Sequence, residues 1–357
     1  MKISEMLARE DFYEINRKTL NAYFGVSDQR KTSLYVYPKL NAIITNSPGK
    51  TVREYLLTEF SVRSPWKRIA AAVYVMLCLC SKGALSDRKI TVCSEVGNDV
   101  LIYPCNKKIR IFDFRDESSS VIIKYGFDDT DLQHEMEFRK RKDNPSFVPR
   151  MIECTEYGYK EQIIKGKPLA RITCKKAFDT LRNRAYQMFR DFYQKDDEDI
   201  DLQEYLQFLR ANIVSLSERS AIIKEQVQSI SNKLITMSRG NKTVTVGFSH
   251  GDLQPGNIWI GSDNNIYIID WESWGKRSIW YDYTTLFEKL RPGKIEQFLF
   301  SSRNETEKAL VLLEDIVFQL HELNSLPEGF GVSGIRQYLN SISDWLGKLQ
   351  DDATQTV

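Results

Sequence analysis

The residues best suited to chemistry lie in one stretch, FSHGDLQPGNIWIGSDNNIYIIDWE, residues 248–272. His250 and Asp252 follow a short apolar run, and Asn257 comes five residues after Asp252. Two apolar runs separated by a turn-forming segment follow, and the second ends at Asp270. Such a pattern predicts a β-hairpin. The hairpin would bring Asn257 and Asp270 side by side, with Asp252 on the loop that leads into it.

These residue types suit phosphoryl transfer. Mg²⁺ takes oxygen ligands in octahedral geometry, which the amide of Asn257 and the carboxylate of Asp270 could supply. A separate carboxylate must accept or orient the acceptor hydroxyl, and we predict Asp252 for this role. We expect His250 to fix the loop by hydrogen bonding rather than to titrate.

The string HGDLQPGN followed by IIDWE resembles the catalytic and metal-binding segments of the aminoglycoside phosphotransferase and choline kinase family, relatives of the protein kinases. The first half alone arises by chance in roughly one chain per thousand. The resemblance implies an α+β, two-lobed protein-kinase-like fold with a small antiparallel β N-lobe and a mainly helical C-lobe. It also implies ATP as co-substrate and Mg²⁺ as cofactor.

The resemblance further implies a strand lysine that pairs with a helix glutamate and contacts the α and β phosphates. Val121-Ile122-Ile123-Lys124 ends an apolar strand in the right place, so Lys124 is predicted for this position. Glu135, in the helix expected at 129–142, matches the family position best, and Glu137 is the alternative partner.

A nucleotide needs a phosphate-covering turn and a hinge. The turn at 104–108 lies where the family has its phosphate loop but contains no glycine, so Asn106 or backbone N–H groups would have to reach the phosphates. Glu161, Gln162 and Ile163 resemble the hinge whose backbone binds adenine. Farther along, Asp282 is predicted either to anchor the catalytic loop or to cap a helix.

The acceptor is open. A cation–π box for a choline-like group would need aromatic side chains, and a cationic acceptor would be attracted by acidic ones. Core packing or a solvated loop is the favoured interpretation for both sets, and a sugar hydroxyl is equally compatible. The aromatic set is Trp271, Trp274, Trp280, Tyr281 and Tyr283, and the acidic run is Asp196, Asp197, Glu198 and Asp199.

Two other classes are weighed against a small-molecule kinase. A nucleotide-binding pseudokinase that regulates or scaffolds is disfavoured because Asp252, Asn257, Asp270 and Lys124 are all present. A protein kinase is disfavoured because Asp-Trp-Glu stands where D-F-G is expected, and no clear A-P-E segment follows.

The elements that must hold these residues fall into three stretches. Residues 1–88 are predicted as a mostly helical N-terminal extension without a chemical motif. Residues 89–165 contain short β-branched and aromatic runs, which indicate an antiparallel N-lobe. Residues 166–357 alternate long amphipathic helices with a few strands and form the predicted C-lobe.

Composition and charge limit the kinds of partner that we expect for this protein. The 357 residues carry a net charge of only +2, so we expect no nucleic-acid partner. The N-terminus lacks an apolar signal core, and the six cysteines form no C-x-x-C pair, which predicts a cytoplasmic protein with reduced thiols. The most apolar stretch, 69–80, is shorter than the roughly 20 residues that span a bilayer. For residues 66–82 a buried helix is favoured over contact with a membrane surface.

Overall fold

The computed structural model describes residues 11–25, 30–59, 65–155, 157–218, 221–240, 242–291, 293, 295–326 and 331–355. The first ten residues of the predicted extension lie outside these ranges. Within them, no helix has both the length and the apolar character needed to cross a bilayer.

The strands lie where β-branched and aromatic residues are concentrated. In chain order they are β1 (Thr32–Tyr37), β2 (Ala42–Ile44), β3 (Arg88–Val92), β4 (Val100–Tyr103), β5 (Lys108–Asp113), β6 (Ser118–Ile123), β7 (Met151–Thr155), β8 (Gly158–Gln162), β9 (Gly166–Pro168), β10 (Glu198–Asp201), β11 (Thr243–Ser249), β12 (Ile258–Gly261), β13 (Ile266–Ile268) and β14 (Gly275–Ser278).

The helices follow the amphipathic stretches. They are α1 (Phe12–Phe24), α2 (Lys50–Glu59), α3 (Pro65–Cys80), α4 (Thr130–Arg139), α5 (Lys175–Tyr193), α6 (Leu202–Ser217), α7 (Ala221–Met237), α8 (Tyr281–Tyr283), α9 (Glu296–Leu299), α10 (Glu305–Asn324) and α11 (Val332–Gln355). A π-helical turn, Thr284–Glu288, follows α8.

An eight-stranded antiparallel sheet is the main feature of the first compact unit. Its strand order is β3-β1-β2-β4-β5-β6-β8-β7. The part from β4 to β8 is the predicted meander, with α4 inserted after β6. Alternate residues of each strand face opposite sides, so Ile111 packs in the cluster that contains Phe12 of α1, whereas Phe112 packs in the cluster that contains Leu56 of α2.

The described part of residues 1–88 is mostly helical, as predicted, but it is not separate from the N-lobe. Strand β1 pairs with β3, and β2 pairs with β4 at Ile43 and Ile102, so this segment extends the N-lobe sheet. The apolar alternation in 34–44 pairs with strands far away in the chain, and this long-range pairing cannot be read from local sequence.

The chain divides into two compact units, 1–183 with 255–272 and 184–254 with 273–357. The sequence predicted a boundary at 165/166 and placed the β12–β13 hairpin in the C-lobe. In the structure the hairpin belongs to the first unit, because β9 pairs with β12 at Pro168 and Trp259. The α+β class and the antiparallel N-lobe are confirmed by this topology.

The second unit combines helices with a small sheet, β10-β11-β14. Its core is built by the apolar faces of α6, α7, α10 and α11, which meet in one buried cluster. The helical character predicted for this part of the chain is confirmed.

Helix α3 is not the buried core helix that was favoured from the sequence. Val75, Cys78 and Leu79 are buried, but Trp66 at the start of the helix is 82% exposed and Leu77 is 55% exposed. An apolar sequence alone cannot tell a helix that is covered on all sides from one that is covered on a single side.

Candidate active site

The β12–β13 hairpin holds the predicted metal ligands in the first unit. Its register pairs Ile258 with Ile268, and the backbone N–H of Ile269 donates to the carbonyl oxygen of Asn257 at 2.9 Å. Asp270 follows directly. The predicted hairpin and its juxtaposition of Asn257 with Asp270 are confirmed, while their role as metal ligands stays a prediction.

Asp270 has a backbone conformation that is unusual for a non-glycine residue. Its φ is +69°, in the left-handed region, which costs on the order of 1 kcal/mol or more. The following residue, Trp271, stacks on Phe138 with ring centroids 4.3 Å apart, and its backbone N–H donates to Glu135 Oε1 at 3.2 Å. Packing of Trp271 thus holds the turn that aims Asp270.

Lys108 lies at the centre of a cluster of carboxylates. Its Nζ is 2.7 Å from Glu272 Oε2, 3.0 Å from Asp270 Oδ1 and 3.3 Å from Glu135 Oε2. Burial by itself would lower the pKa of the Lys108 ammonium, but Asp270, Glu272 and Glu135 together raise that pKa well above its usual range. The lysine is therefore held charged beside the predicted metal ligand Asp270.

The sequence predicts Lys124 as the partner of Glu135, but the structure places Lys108 there. Lys108 pairs with Ile123 across β5 and β6, on the face that packs against α4. Lys124 is one residue farther along, and its Nζ lies 5.3 Å from the ring centre of Phe12 in α1, which packs on the opposite face. The alternation of Ile109 and Ile111 with Lys108 in β5 was the signal that could have shown this.

Glu135 is the helix glutamate of the cluster, as predicted. It is fully buried and also accepts a hydrogen bond from the Tyr159 hydroxyl at 2.9 Å, whereas Glu137 is exposed. The structure therefore selects Glu135 between the two glutamates.

Ion pairs and backbone hydrogen bonds hold the three residues of the predicted hinge. The Glu161 side chain is buried between Arg110 and Arg139, at 2.6 Å from each guanidinium. The backbone N–H of Gln162 donates to the carbonyl oxygen of Arg150, and that of Ile163 donates to the carbonyl oxygen of Glu117. Their role in adenine binding stays a prediction.

The predicted phosphate turn is attached to helix α4. Asn106 is half-buried, and the neighbouring Lys107 pairs with Asp131 of α4 at 2.5 Å. The backbone N–H of Lys124 donates to the Lys107 carbonyl. No contact in the structure tests whether Asn106 reaches a phosphate, so that role stays a prediction.

Tyr55 of α2 packs beside the hinge. It lines a cavity of about 10 Å³ together with Ile163, Ile164, Trp259 and Ile269, among others. The Tyr55 ring lies 6.3 Å from Trp259 at an interplanar angle of 19°. Its hydroxyl is buried without a hydrogen-bond partner among the described residues, and burial raises its pKa.

The second unit contains His250, Gly251 and Asp252 of the predicted catalytic loop. Asp282 accepts hydrogen bonds from the backbone N–H groups of His250, at 2.9 Å, and Gly251, at 3.2 Å. Helix α8 begins at Tyr281, so Asp282 anchors the loop and does not cap the helix. Gly251 has a φ of +83°, and a Cβ there would lie 2.0 Å from the Ser273 carbonyl oxygen, so the loop requires glycine.

His250 stabilises the same loop. It is fully buried, and its Nδ1 accepts a hydrogen bond from the backbone N–H of Asp252 at 3.2 Å. The expectation that His250 fixes the loop by hydrogen bonding is confirmed.

Arg291 is a second residue, besides Lys108, that sequence reasoning missed. Its Nη2 and Nε lie 2.8 and 3.1 Å from Asp252 Oδ1, and Nη2 also donates to the Gly251 carbonyl at 3.0 Å. Nη1 pairs with the fully buried Asp315. Burial would lower the pKa of Arg291, but Tyr281, Asp315 and Asp252 raise it. A separation of 39 residues from Asp252, without a motif, left no local signal.

The chain was compared with known proteins. No family model matches it, and no curated protein matches it in sequence. Among solved structures it is similar to choline kinase LicA from Streptococcus pneumoniae, at 15% identity and a TM-score of 0.44, over 71% of this chain and 92% of that one.

Two further similar structures belong to the same groups. One is the choline kinase of Cryptosporidium parvum Iowa II, with 14% identity, a TM-score of 0.43 and coverage of 73% and 89%. The other is a thermostable mutant of an aminoglycoside phosphotransferase in a ternary complex with ADP and hygromycin B, with 9% identity, a TM-score of 0.43 and coverage of 72% and 90%. These groups are the ones that the motifs resemble.

The aromatic residues considered for acceptor binding are largely core residues. Trp271 and Tyr281 are fully buried. Trp274 stacks on Phe248 with centroids 5.7 Å apart. Core packing, the favoured interpretation, is confirmed for Trp271 and Tyr281, whereas Trp274 is half-buried.

The acidic run is also structural. Glu198 and Asp199 lie in β10, Asp197 pairs with Arg190 at 2.5 Å, and Lys276 pairs with Glu198 at 2.5 Å. The run thus forms a sheet edge with its own cationic partners, and it gives no independent support for a cationic acceptor.

Proposed function

We propose that the protein transfers the γ-phosphoryl group of ATP to a hydroxyl group of a small molecule, with Mg²⁺ as cofactor. The acceptor classes that fit are a sugar, an aminoglycoside or a choline-like amino alcohol. The reaction would take place in the cytoplasm, where ATP is at hand.

The observation that carries this proposal is the cluster of Lys108, Glu135 and Asp270. It combines a charged lysine, a buried carboxylate that orients it, and a second carboxylate on a constrained turn. Kinase sites need a cation for the α and β phosphates, a glutamate that holds it and a carboxylate for the metal. We assign Lys108, rather than Lys124, to the phosphate contact.

The residues fit a magnesium ion by their chemistry. Asn257 and Asp270 offer an amide oxygen and a carboxylate from adjoining positions of one hairpin, and hard cations prefer such oxygen donors. When bound, the ion would neutralise charge on the phosphate oxygens. Lys108 would then exchange part of its contact with Asp270 for the nucleotide.

Asp252 would accept the proton of the acceptor hydroxyl. As the hydroxyl oxygen bonds to the γ-phosphorus, the bond to the β–γ bridging oxygen breaks and ADP leaves with that electron pair. Arg291 binds Oδ1 of Asp252 and fixes the rotamer of its carboxylate. Asp282 and His250 hold the loop backbone, so that Asp252 is preorganised.

The test is an acceptor screen with γ-labelled ATP across aminoglycosides, choline-type alcohols and sugars. With an acceptor in hand, Asp252→Asn should lower kcat by roughly 100-fold or more while Mg-ATP binding persists. The matched control is Asp196→Asn, an exposed acid in the same unit. Near wild-type turnover by Asp252→Asn would refute its catalytic role.

The metal role needs a separate variant. Asp270→Asn should weaken Mg-ATP binding itself, measured by calorimetry. Asp263→Asn, an exposed acid in the turn of the same hairpin, is the control and should bind normally.

Tyr55 favours a second candidate, a pseudokinase that acts as a regulator. Its ring lines a cavity beside the hinge of only about 10 Å³, which is too small to hold a base. The two functions differ in one measurement. Stabilisation by Mg-ATP without transfer to any acceptor would support the regulator, and transfer would exclude it.

A further inference from the structure

Helix α3 presents an apolar face that no described part of the chain covers. Trp66, Ile69, Val73, Met76 and Leu77 are between 43% and 82% exposed. Their spacing, three to four residues apart along a helix, places them in one stripe. Soluble surfaces rarely carry such a continuous apolar stripe without a binding partner.

The opposite side of α3 attaches the helix firmly to the first unit. Val75, Cys78 and Leu79 are buried in the cluster that also contains Val52 and Leu56 of α2. The Tyr37 hydroxyl donates to the Cys78 carbonyl at 3.2 Å. The exposed stripe is therefore displayed by an anchored helix.

Basic residues surround the stripe, and acidic residues are missing from it. Between Glu59 and Asp87 the sequence has Arg63, Lys67, Arg68 and Lys82 but no Asp or Glu, although the whole chain is almost neutral. The exposed Lys39 adds to this charge, since its Nζ lies 5.9 Å from the ring centre of Tyr74 in α3. Positive charge is thus concentrated around one apolar face.

We propose that α3 docks the protein on a membrane surface that contains anionic lipid. The apolar stripe would enter the boundary between headgroups and acyl chains, with Trp66 at the polar interface. Lys67, Arg68 and Lys82 would lie near anionic headgroups, where each basic residue strengthens binding. Leu85, exposed in the turn after the helix, would extend the apolar contact.

Charge distinguishes this partner from a second copy of the chain. A symmetric dimer through α3 would bring the two copies' basic residues together, and the segment offers no acid to pair with them. An anionic lipid surface satisfies both the apolar stripe and the charge around it. The inference does not depend on the proposed phosphotransferase activity.

The experiment is flotation of the full chain with lipid vesicles. One set contains phosphatidylcholine only, and the other has phosphatidylserine as about a third of the lipid. The wild type should float with the second set, and added salt should weaken the binding. The triple variant Trp66→Ser, Val73→Ser, Leu77→Ser should bind the anionic vesicles at least tenfold more weakly than the wild type.

Matched controls keep the test decisive. Phe208→Ser with Ile222→Ser removes two exposed apolar side chains from the second unit and should leave flotation unchanged. Lys67→Gln with Arg68→Gln should reduce binding to anionic vesicles specifically. Circular dichroism checks that each variant folds.

Two outcomes would overturn the proposal. One is a flotation result in which the wild type and the folded triple variant float equally, or in which the wild type does not float at all. The other is a dimer, detected by light scattering, that the triple variant dissociates in the absence of lipid binding.

Discussion

At the scale of single residues, the lysine is where sequence and structure differ most. An apolar strand that ends in lysine matched the family pattern, yet strand alternation sends Lys124 to the face of α1. Lys108 on the neighbouring strand faces α4 and pairs with Glu135. The ion pair can be formed from either strand because adjacent strands lie only about 5 Å apart.

Lys108→Met should therefore weaken ATP binding by tenfold or more, about 1.4 kcal/mol, because the cation that we propose for the phosphate contact is lost. Lys124→Met is the matched control and should retain near-normal affinity. Fluorescence titration with a labelled nucleotide measures both, with thermal melting to confirm folding. The reverse result, a loss in Lys124→Met alone, would restore the assignment drawn from the sequence.

A buried carboxylate in the second unit predicts a pH effect on stability. Glu314 accepts hydrogen bonds from the Tyr205 and Ser278 hydroxyls at 2.6 and 2.7 Å. Burial raises its pKa, although those bonds and Arg277 lower it in part. In the folded state Glu314 thus binds a proton more readily than in the unfolded chain.

The sign follows from proton linkage. As pH rises from the ordinary glutamate range, around 4, through the raised pKa, the folded state holds the extra proton and stability falls. Glu314→Gln lacks this group. The unfolding free energy of the wild type minus that of the variant should decrease over this window, by about 1.4 kcal/mol per unit of pKa shift. Urea denaturation at several pH values measures it, and a constant difference would contradict the prediction.

At the scale of elements, α2 has a role that the sequence did not reveal. It belongs to the segment expected to form a separate extension, yet its Tyr55 packs among Tyr103, Phe112, Phe114 and Trp259 beside the hinge. Helix α2 thus forms part of the wall of the small cavity beside the hinge.

Tyr55→Ala should increase nucleotide affinity several-fold, because a closed pocket reduces apparent affinity by the fraction of time it is closed. Leu57→Ala, on the same helix and partly buried in the adjoining cluster, is the control. Calorimetric titration with Mg-ATP gives both affinities. Weaker binding by Tyr55→Ala would mean that the ring serves as a stacking surface for the base instead.

At the scale of the whole molecule, ligand binding should increase the free energy of unfolding. With Mg-ATP at about a hundredfold excess over Kd, the unfolding free energy should rise by roughly 2.7 kcal/mol. Chelation of Mg²⁺ by EDTA should remove most of this gain if, as proposed, Asp270 and Asn257 hold the ion that binds the phosphates. Thermal melting with ATP, with and without EDTA, measures it. An equal gain in both conditions would contradict the metal role.

The sequence by itself determined the features that depend on neighbouring residues. The two apolar runs between Asn257 and Asp270, with a turn-forming segment between them, predicted the hairpin, and the glycine at 251 is required by a local positive φ. The antiparallel N-lobe and the helical character of the later chain followed from alternation and periodicity.

Only the tertiary structure decided the features that depend on distant pairing. The contacts of Lys108 with Glu135 and Asp270 span 27 and 162 residues, and those of Arg291 with Asp252 span 39. The packing of Tyr55 beside the hinge and the exposure of one face of α3 also depend on contacts between distant parts of the chain. Local sequence sets the conformation of a segment, but which faces meet depends on strand register and packing across the whole chain.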